Sequence, residues 1–162
     1  MEKEHIDAIE AKMAEAETTA RNYFRQGLNC SECVYQTILD LYETNLPKET
    51  ISLATGFGGG MGHTRNTCGA ITGAVLSLGS IKGRKNPFEK ETPTDRAEEL
   101  KDVYAIFANM INEIEDTYGT LICKELSAPY GDFDSRERKK NCQKVIGYCA
   151  SLVAKYAEQA NK

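Results

Sequence analysis

The sequence predicts an all-α protein, a single-domain bundle of about five to six helices with a glycine-rich loop before a central helix. Apolar residues recur at the three-and-four spacing of amphipathic helices, and no segment has the composition and alternation of a strand. Capping residues and helix-stopping residues fall at the ends of these periodic segments. A chain of 162 residues can bury one hydrophobic core, so one domain is expected.

Two helices are predicted in the first quarter of the chain. The first covers residues 3–26, where small and apolar side chains return every three or four positions. The second is capped by Asn29 or Ser31 and ends at about Tyr42. Cys30 therefore lies at the beginning of the second helix.

A glycine-rich loop is predicted to lead into the central helix. Five of the seven residues from 56 to 62 are glycine, and a short helix beginning near Pro47 precedes them. Thr67 then caps a helix over residues 68–78. This segment is apolar nearly all round, which is typical of a helix in the middle of a bundle. Cys68 is its first residue.

A long helix is predicted after an exposed loop over residues 79–93. Thr94 or Asp95 caps this helix, and Gly119 ends it after Tyr118. Its three-and-four spacing predicts a face that packs on the core. That face carries Leu100, Val103, Tyr104, Phe107, Met110, Ile111 and Ile114.

The last predicted helix covers residues 135–160. A short connector over residues 121–126, which contains Cys123, and a surface turn precede it. One side of the helix carries Cys142 and Cys149 together with a run of apolar residues, so this side is expected to face the core.

Charge and hydropathy exclude several classes of partner. The net charge is −4 and the basic residues are scattered, so the positive surface that binds nucleic-acid phosphates is not expected. No apolar run approaches the roughly 20 residues of a membrane-spanning helix. The N-terminus is charged, with no apolar signal region behind it. We therefore expect a cytoplasmic protein without nucleic-acid binding or membrane insertion.

The cysteine content is the most informative part of the composition. The chain contains six cysteines, which are Cys30, Cys33, Cys68, Cys123, Cys142 and Cys149. Because cytoplasmic thiols are kept reduced, a structural disulfide framework is not expected. The number is nevertheless high for a soluble domain, which favours a chemical role for some of these thiols.

The cysteines lie mostly at the ends of predicted elements. Cys30 and Cys68 each begin a helix, where backbone N–H groups and the helix dipole lower the pKa of a thiol. Both are therefore expected to form thiolates. The glycines beside them let the backbone approach a ligand, which predicts one wall of a site. The candidate binding residues of this wall are Gly58, Gly59, Gly60, Gly62, His63 and Gly69.

The pattern around Cys68 resembles that of a known family. The segment CGAITG from Cys68 to Gly73 follows the glycine-rich loop, with Cys30 upstream and Cys123 and Cys142 downstream. This arrangement resembles the C_GCAxxG_C_C family of redox-active proteins. The resemblance extends from about residue 27 to residue 162 and leaves the N-terminal helix, residues 1–26, outside.

The resemblance implies a helical domain in which Cys30, Cys68, Cys123 and Cys142 are redox-active. A similar cysteine-bearing region occurs in split-Soret cytochrome c, where an iron–sulfur centre is associated with it. This chain lacks the CxxCH motif that attaches c-type haem, so no haem is expected. The resemblance brings no substrate with it.

Three kinds of chemistry are compatible with these four thiols. We favour a [2Fe–2S] or [4Fe–4S] cluster ligated by all four cysteines, which would serve electron transfer or redox sensing. The alternative is a thiol–disulfide oxidoreductase that uses the same cysteines without metal. The third is a non-catalytic helical module that binds structural zinc. Whether the protein is an enzyme stays open; if it is one, it is an oxidoreductase.

The remaining candidates have simpler explanations. Cys33 and Cys149 lie at core-facing helix positions, where a free cysteine packs as a small hydrophobic residue, although Cys33 could also resolve a disulfide. His63 and Arg65 are expected on the surface of the loop, with a role at the site as the less favoured alternative. The expected partner is a redox protein or a small electron carrier. The apolar helices allow a homodimer, which no feature of the sequence requires.

Overall fold

Seven α-helices and three short 3₁₀ helices form the part of the chain that the computed structural model describes, residues 1–159. The α-helices are α1 (Glu2–Arg25), α2 (Cys30–Leu41), α3 (Ser52–Thr55), α4 (Gly69–Lys82), α5 (Pro93–Tyr118), α6 (Cys123–Ser127) and α7 (Arg136–Ala157). The 3₁₀ helices are Lys48–Ile51, Pro87–Glu89 and Ala128–Tyr130. Within residues 1–159 the one β-type pairing is an isolated antiparallel bridge. The predicted all-α fold is confirmed.

Helix α1 packs along the length of α7. Gly147 of α7 allows this close approach, because a Cβ there would lie 2.8 Å from Cγ of Glu17 and 2.9 Å from Cγ of Arg21. Ala16 and Ala20 of α1 are completely buried. The N-terminal helix is therefore part of the hydrophobic core, although the family resemblance does not include it.

Helix α4 is central, as its apolar sequence predicts, and packs against α2, α5 and α7. At Gly73, an added Cβ would lie 2.9 Å from both the Cα and the carbonyl oxygen of Ser31. Only a glycine permits this distance between α2 and α4. The close crossing places Cys30 and Cys68, which lie at the beginnings of α2 and α4, at the same end of the bundle.

One continuous hydrophobic core joins α1, α2, α4, α5 and α7. Its completely buried side chains include Ile38, Leu78, Met110, Ile114 and Ile146. Each apolar side chain of this size stabilises the folded state by about 1.5–3 kcal/mol relative to full exposure. The site described below therefore lies on a rigid support.

The boundaries of α4 differ from the prediction. Cys68, not Thr67, is the N-cap residue, and no side-chain cap is present. The helix continues to Lys82, so the loop that was expected to begin at residue 79 begins later and contains a 3₁₀ turn. Ile81 packs against the core and gives the last helical turn an apolar partner, which offsets the low helix propensity of the nearby glycine.

Helix α5 begins slightly earlier than predicted and buries less. Thr92 caps it by accepting a hydrogen bond from the Asp95 N–H at 3.1 Å, and Pro93 occupies the first turn. On the face predicted to be buried, Met110 and Ile114 are buried, whereas Tyr104 is 60% exposed. The apolar periodicity was right, but the first half of α5 extends past the elements that would cover it.

The ends of the other helices follow their capping residues. Gly119 ends α5 with φ of 76°, and Ser135 caps α7 through the Arg138 N–H. Helix α7 ends at Ala157, and the predicted end at Ala160 lies outside the described residues. The predicted connector around Cys123 contains the short helix α6. None of the helices described is both long and apolar enough to span a membrane.

Candidate cysteine site

A cavity of about 180 Å³ opens at the end of the bundle where α2, α4, α6 and α7 meet. Its wall includes four cysteines, Cys30, Cys68, Cys123 and Cys142. The rest of the wall consists of Phe24, Asn29, Gly59, His63, Gly69, Ala70, Leu126, Ser127, Arg138, Asn141, Val145 and Ile146. Four thiols from four separate segments therefore share one largely apolar enclosure.

Cys30 is held by a double cap at the start of α2. The side chain of Asn29 accepts a hydrogen bond from the Glu32 N–H at 2.9 Å, and the Glu32 carboxylate accepts one from the Asn29 N–H at 3.0 Å. The amide of Asn29 also donates to the carbonyl of Thr55 at 3.0 Å. The same cap thus fixes Cys30 and ties α2 to the start of the glycine-rich loop.

The glycine-rich loop forms a left-handed turn over residues 59–63. Five successive residues have positive φ, namely Gly59 (65°), Gly60 (75°), Met61 (66°), Gly62 (60°) and His63 (64°). Glycine adopts this conformation freely, whereas the conformation costs a residue with a Cβ about 1–2 kcal/mol. The three glycines Gly59, Gly60 and Gly62 therefore adopt the turn without strain, whereas the backbone of Met61 and His63 is strained.

The left-handed turn supplies part of the cavity wall. The backbone N–H groups of Gly59 and Ser31 act to lower the pKa of the Cys30 thiol. Gly59, His63 and Gly69 line the cavity, whereas the other predicted wall residues, Gly58, Gly60 and Gly62, are absent from the lining. Gly60 and Gly62 belong to the turn itself, and a Cβ on Gly60 would lie 2.6 Å from the backbone nitrogen of Asn66. Gly58 leaves room for Asn29, whose Nδ2 would lie 2.6 Å from an added Cβ.

An isolated bridge joins the segments that carry Cys68 and Cys123. Thr67 pairs with Ile122, the Cys68 N–H donates to the Leu121 carbonyl at 2.8 Å, and the Cys123 N–H donates to the Asn66 carbonyl at 2.7 Å. Neither segment has a strand-like sequence, so the bridge had no sequence signature. It fixes two cysteines from distant parts of the chain beside the same cavity.

Phe133 and Arg138 form a part of the site that the sequence analysis missed. The Arg138 guanidinium lies 3.4 Å from the centroid of the buried Phe133 ring, and that of Arg65 lies 4.2 Å from it. The His63 ring meets the same phenylalanine edge-on at 4.7 Å. The sequence could have indicated Arg138, because it lies one helical turn before Cys142 on the same face of α7.

Burial raises the pKa of three of the cavity thiols, Cys30, Cys68 and Cys142. It raises the pKa of Cys68 to about 12, although the N–H groups of Ala70 and Ile71 act in the opposite direction. Burial also raises the pKa of Cys30, although the N–H groups of Gly59 and Ser31 act in the opposite direction, so the expectation of low pKa values at these helix starts was wrong. The cost of placing a charge in an apolar cavity exceeds the effect of the helix N-terminus.

Cys142 follows the same rule in a more polar setting. Burial raises its pKa to about 11, while the positive charge of Arg138 acts to lower it. The thiols of Cys30, Cys68 and Cys142 are therefore neutral near pH 7 unless another positive charge enters the cavity. A bound metal provides such a charge and deprotonates the cysteines that ligate it.

The donor set of the cavity fits an iron–sulfur cluster. Four thiols and apolar walls are features by which proteins hold such clusters, and backbone N–H groups that act to lower the thiol pKa lie near Cys30 and Cys68. Among residues 1–159, no three Cys, His, Asp or Glu side chains are arranged around one metal ion. A cluster distributes its thiolates over several iron atoms, whereas zinc gathers four ligands at about 2.0–2.3 Å from a single centre.

Cys33 and Cys149 lie outside the cavity. Both side chains are completely buried in the core, as predicted, and the Cys33 thiol donates weakly to the Leu28 carbonyl at 3.6 Å. Burial raises the pKa of Cys33 to about 12. These two cysteines therefore act as packing residues and provide internal controls for the other four.

Comparisons with known proteins match most of the chain. The family model described as "Putative redox-active protein (C_GCAxxG_C_C)" matches residues 28–156. An "Uncharacterized protein" of Archaeoglobus fulgidus is 25% identical over 152 residues, covering 87% of this chain and 94% of the relative. No solved structure matches the chain at a significant level.

Proposed function

Because this chain belongs to the C_GCAxxG_C_C family of redox-active proteins, we propose that Cys30, Cys68, Cys123 and Cys142 together bind an iron–sulfur cluster. The proposed function is electron transfer or redox sensing. In this proposal the electrons are exchanged with a redox protein or a small electron carrier. A reducing cytoplasm suits it, since thiols stay available there for ligation.

One observation supports this proposal above all others. The four thiols begin or lie within four different elements, yet they line a single cavity of about 180 Å³. A disulfide exchange site needs two thiols, whereas both common cluster types need four. The two remaining cysteines stay in the core, so the division between site and packing residues follows the ligand number of a cluster.

The surrounding residues have separate tasks in this proposal. The N–H groups of Gly59 and Ser31 act to lower the pKa of Cys30 and would stabilise its thiolate, and those of Ala70 and Ile71 would do so at Cys68. Phe24, Leu126 and Val145 exclude water from the cavity wall. A bound cluster supplies one-electron chemistry, with a potential that depends on hydrogen bonds to sulfur and on burial.

Anaerobic purification tests the proposed function. The wild-type protein is expected to be coloured, with iron and acid-labile sulfide bound in equal amounts. The matched variants are Cys142→Ser and Cys149→Ser, which change the same residue type on the same helix. Loss of iron is expected for Cys142→Ser and full iron for Cys149→Ser. A colourless wild-type protein without iron or sulfide would disprove the proposal.

A thiol–disulfide oxidoreductase is the second candidate, favoured by the bridge that fixes the Cys68 and Cys123 segments side by side. Such enzymes usually contain one thiol whose pKa is well below 8.5. The raised pKa values of Cys30, Cys68 and Cys142 count against that chemistry. A mixed disulfide trapped on a cavity cysteine of the iron-free wild type would support it.

A further inference from the structure

Arg138 carries a positive charge that has no partner among the residues described. Its Nε atom is buried and donates to no acceptor within residues 1–159, and none of the ion pairs in that range includes its guanidinium. The side chain is half-buried and lines the cysteine cavity. A partly buried cation without an anion is unfavourable, so a negative charge nearby would stabilise Arg138 in this position.

The position of Arg138 is fixed by three neighbouring features. Its guanidinium lies on the ring of Phe133, which is itself only 7% exposed. Its backbone N–H donates to the Ser135 side chain in the cap of α7. Cys142 lies four residues later on the same helix face, and the Arg138 charge acts to lower the pKa of its thiol. The guanidinium is thus held at the wall beside the sulfurs.

We propose that Arg138 is the charge-compensating residue of the cysteine site and raises its reduction potential. This inference rests on the proposed function. Four thiolates give a ligated cluster a net negative charge, and one-electron reduction by an external donor adds one more negative charge. No bond to Arg138 forms or breaks in that step. The guanidinium favours the reduced form because its attraction grows with the added charge.

The other basic residues near the cavity are less suited to this role. Arg65 also lies on the Phe133 ring, but its side chain is exposed and does not line the cavity, so water screens its charge. His63 lines the cavity from an exposed position on the left-handed turn. Of these three residues, Arg138 alone both lines the cavity and is partly buried. Its guanidinium forms no ion pair within residues 1–159.

The test compares Arg138→Met, Arg138→Lys and Arg136→Met. Arg136 begins the same helix but is exposed and lies outside the cavity, so its variant removes the same charge at a control position. Each protein is purified anaerobically, its iron and sulfide are measured, and its midpoint potential is determined by redox titration. Circular dichroism verifies that each variant is folded.

Removal of the charge is expected to lower the midpoint potential. We expect Arg138→Met to reduce the ratio of reduced to oxidised centre at least tenfold at a fixed potential, which is about 59 mV for a one-electron couple. Arg138→Lys keeps a charge and is expected to retain most of the wild-type potential. Arg136→Met is expected to match the wild type. If Arg138→Met does not fold, Arg138→Gln is used with the same expectation.

The outcomes separate this inference from the function on which it rests. A wild type without iron contradicts both proposals. A wild type with iron and an Arg138→Met variant with an unchanged potential contradicts the role of Arg138 alone. Equal decreases in Arg138→Met and Arg136→Met also contradict it, because the effect would then come from net charge and not from the position beside Cys142.

Discussion

The sulfur of Cys30 occupies the space beside Gly69, and a Cβ at residue 69 would overlap it. The carbonyl oxygen of Phe57 lies on the same side, 2.7 Å from the position that a Cβ would take. The second residue of the CGAITG segment is therefore small because a cavity cysteine from another helix occupies the space beside it.

The contact between Cys30 and Gly69 predicts the effect of Gly69→Ala. The added methyl group must displace the Cys30 sulfur or the loop backbone, and such overpacking costs about 1–3 kcal/mol. We expect the free energy of unfolding to fall by that amount in urea titrations, and iron binding to fall with it. A fully stable variant that keeps its iron would contradict the predicted overlap.

Gly79 provides the control for this substitution. It lies in the same helix, α4, and an added Cβ would meet no atom within 4 Å. Because alanine has the higher helix propensity, Gly79→Ala is expected to increase the free energy of unfolding by about 0.5–1 kcal/mol. Opposite signs for the two glycine variants would show that the space at Cys30 decides the result.

The left-handed turn predicts that Met61→Gly stabilises the protein. Met61 is 40% exposed and has φ of 66°, so its side chain contributes little packing while its Cβ is strained. Removing that strain gains about 1–2 kcal/mol, and the greater freedom of glycine in the unfolded chain offsets about half of it. Urea unfolding is expected to show a net gain of about 0.5–1 kcal/mol.

Leu53 provides the comparison for Met61. It is 61% exposed but lies in the helix α3, where glycine is unfavourable. Leu53→Gly is therefore expected to lower the free energy of unfolding by about 1 kcal/mol. If both glycine variants destabilise the protein equally, the left-handed turn carries no strain at Met61.

The sequence predicted the helices well because their signals are local. Asn29 and Ser135 act as caps, Gly119 ends α5, and apolar periodicity marks the faces of α1 and α7. The extension of α4 to Lys82 depends on the packing of Ile81, which no local pattern reveals. Helix existence could therefore be predicted, while one boundary depended on tertiary contacts.

The candidate site was predictable only where its residues form a motif. The four cysteines share an arrangement that the family pattern describes, and they line one cavity. Phe133 belongs to no motif and reaches the site through a loop, and the bridge at Thr67 joins segments without strand character. The raised thiol pKa values depend on burial, which the position of Cys68 at a helix start does not reveal.

The division between cavity and core cysteines predicts their reactivity. Cys149 is completely buried, and burial holds its pKa well above the usual value. In the metal-free, folded protein we expect iodoacetamide to modify Cys149 at least about 1,000-fold more slowly than in urea-unfolded protein, since folded domains are stable by about 5 kcal/mol or more. Mass spectrometry of the labelled peptides measures this ratio.

Cys142 provides the comparison in the same experiment. It lies on the same helix but lines the cavity and is only half-buried, so it is expected to react faster than Cys149 in the folded protein. Equal protection of Cys142 and Cys149 would mean that the cavity is closed to small reagents in solution.

A charged contact between α5 and α7 predicts a dependence of stability on pH. Glu113 accepts hydrogen bonds from Lys155 at 2.9 Å and from Tyr156 at 2.6 Å. Partial burial acts to raise the pKa of Glu113, but these two partners hold it below its usual value. Because the folded-state pKa is lowered, the stabilisation is present above the unfolded-state pKa and is lost as the pH falls through the folded-state value.

Urea unfolding at several pH values measures this contribution. At pH 7, Glu113→Gln is expected to lower the free energy of unfolding by about 1 kcal/mol, because hydrogen bonds to a charged group are lost. The difference from the wild type is expected to shrink as the pH falls below about 4. Glu115→Gln, at an exposed position of the same helix, is expected to show no such difference.

X-ray absorption at the iron K-edge tests the central claim, that the four cavity cysteines form one metal centre, most directly. The sample is the wild-type protein purified without oxygen. We expect a first shell around iron that consists of sulfur only, together with scattering from a second iron atom. A protein without iron, or iron surrounded by nitrogen and oxygen with no second iron nearby, would contradict the claim.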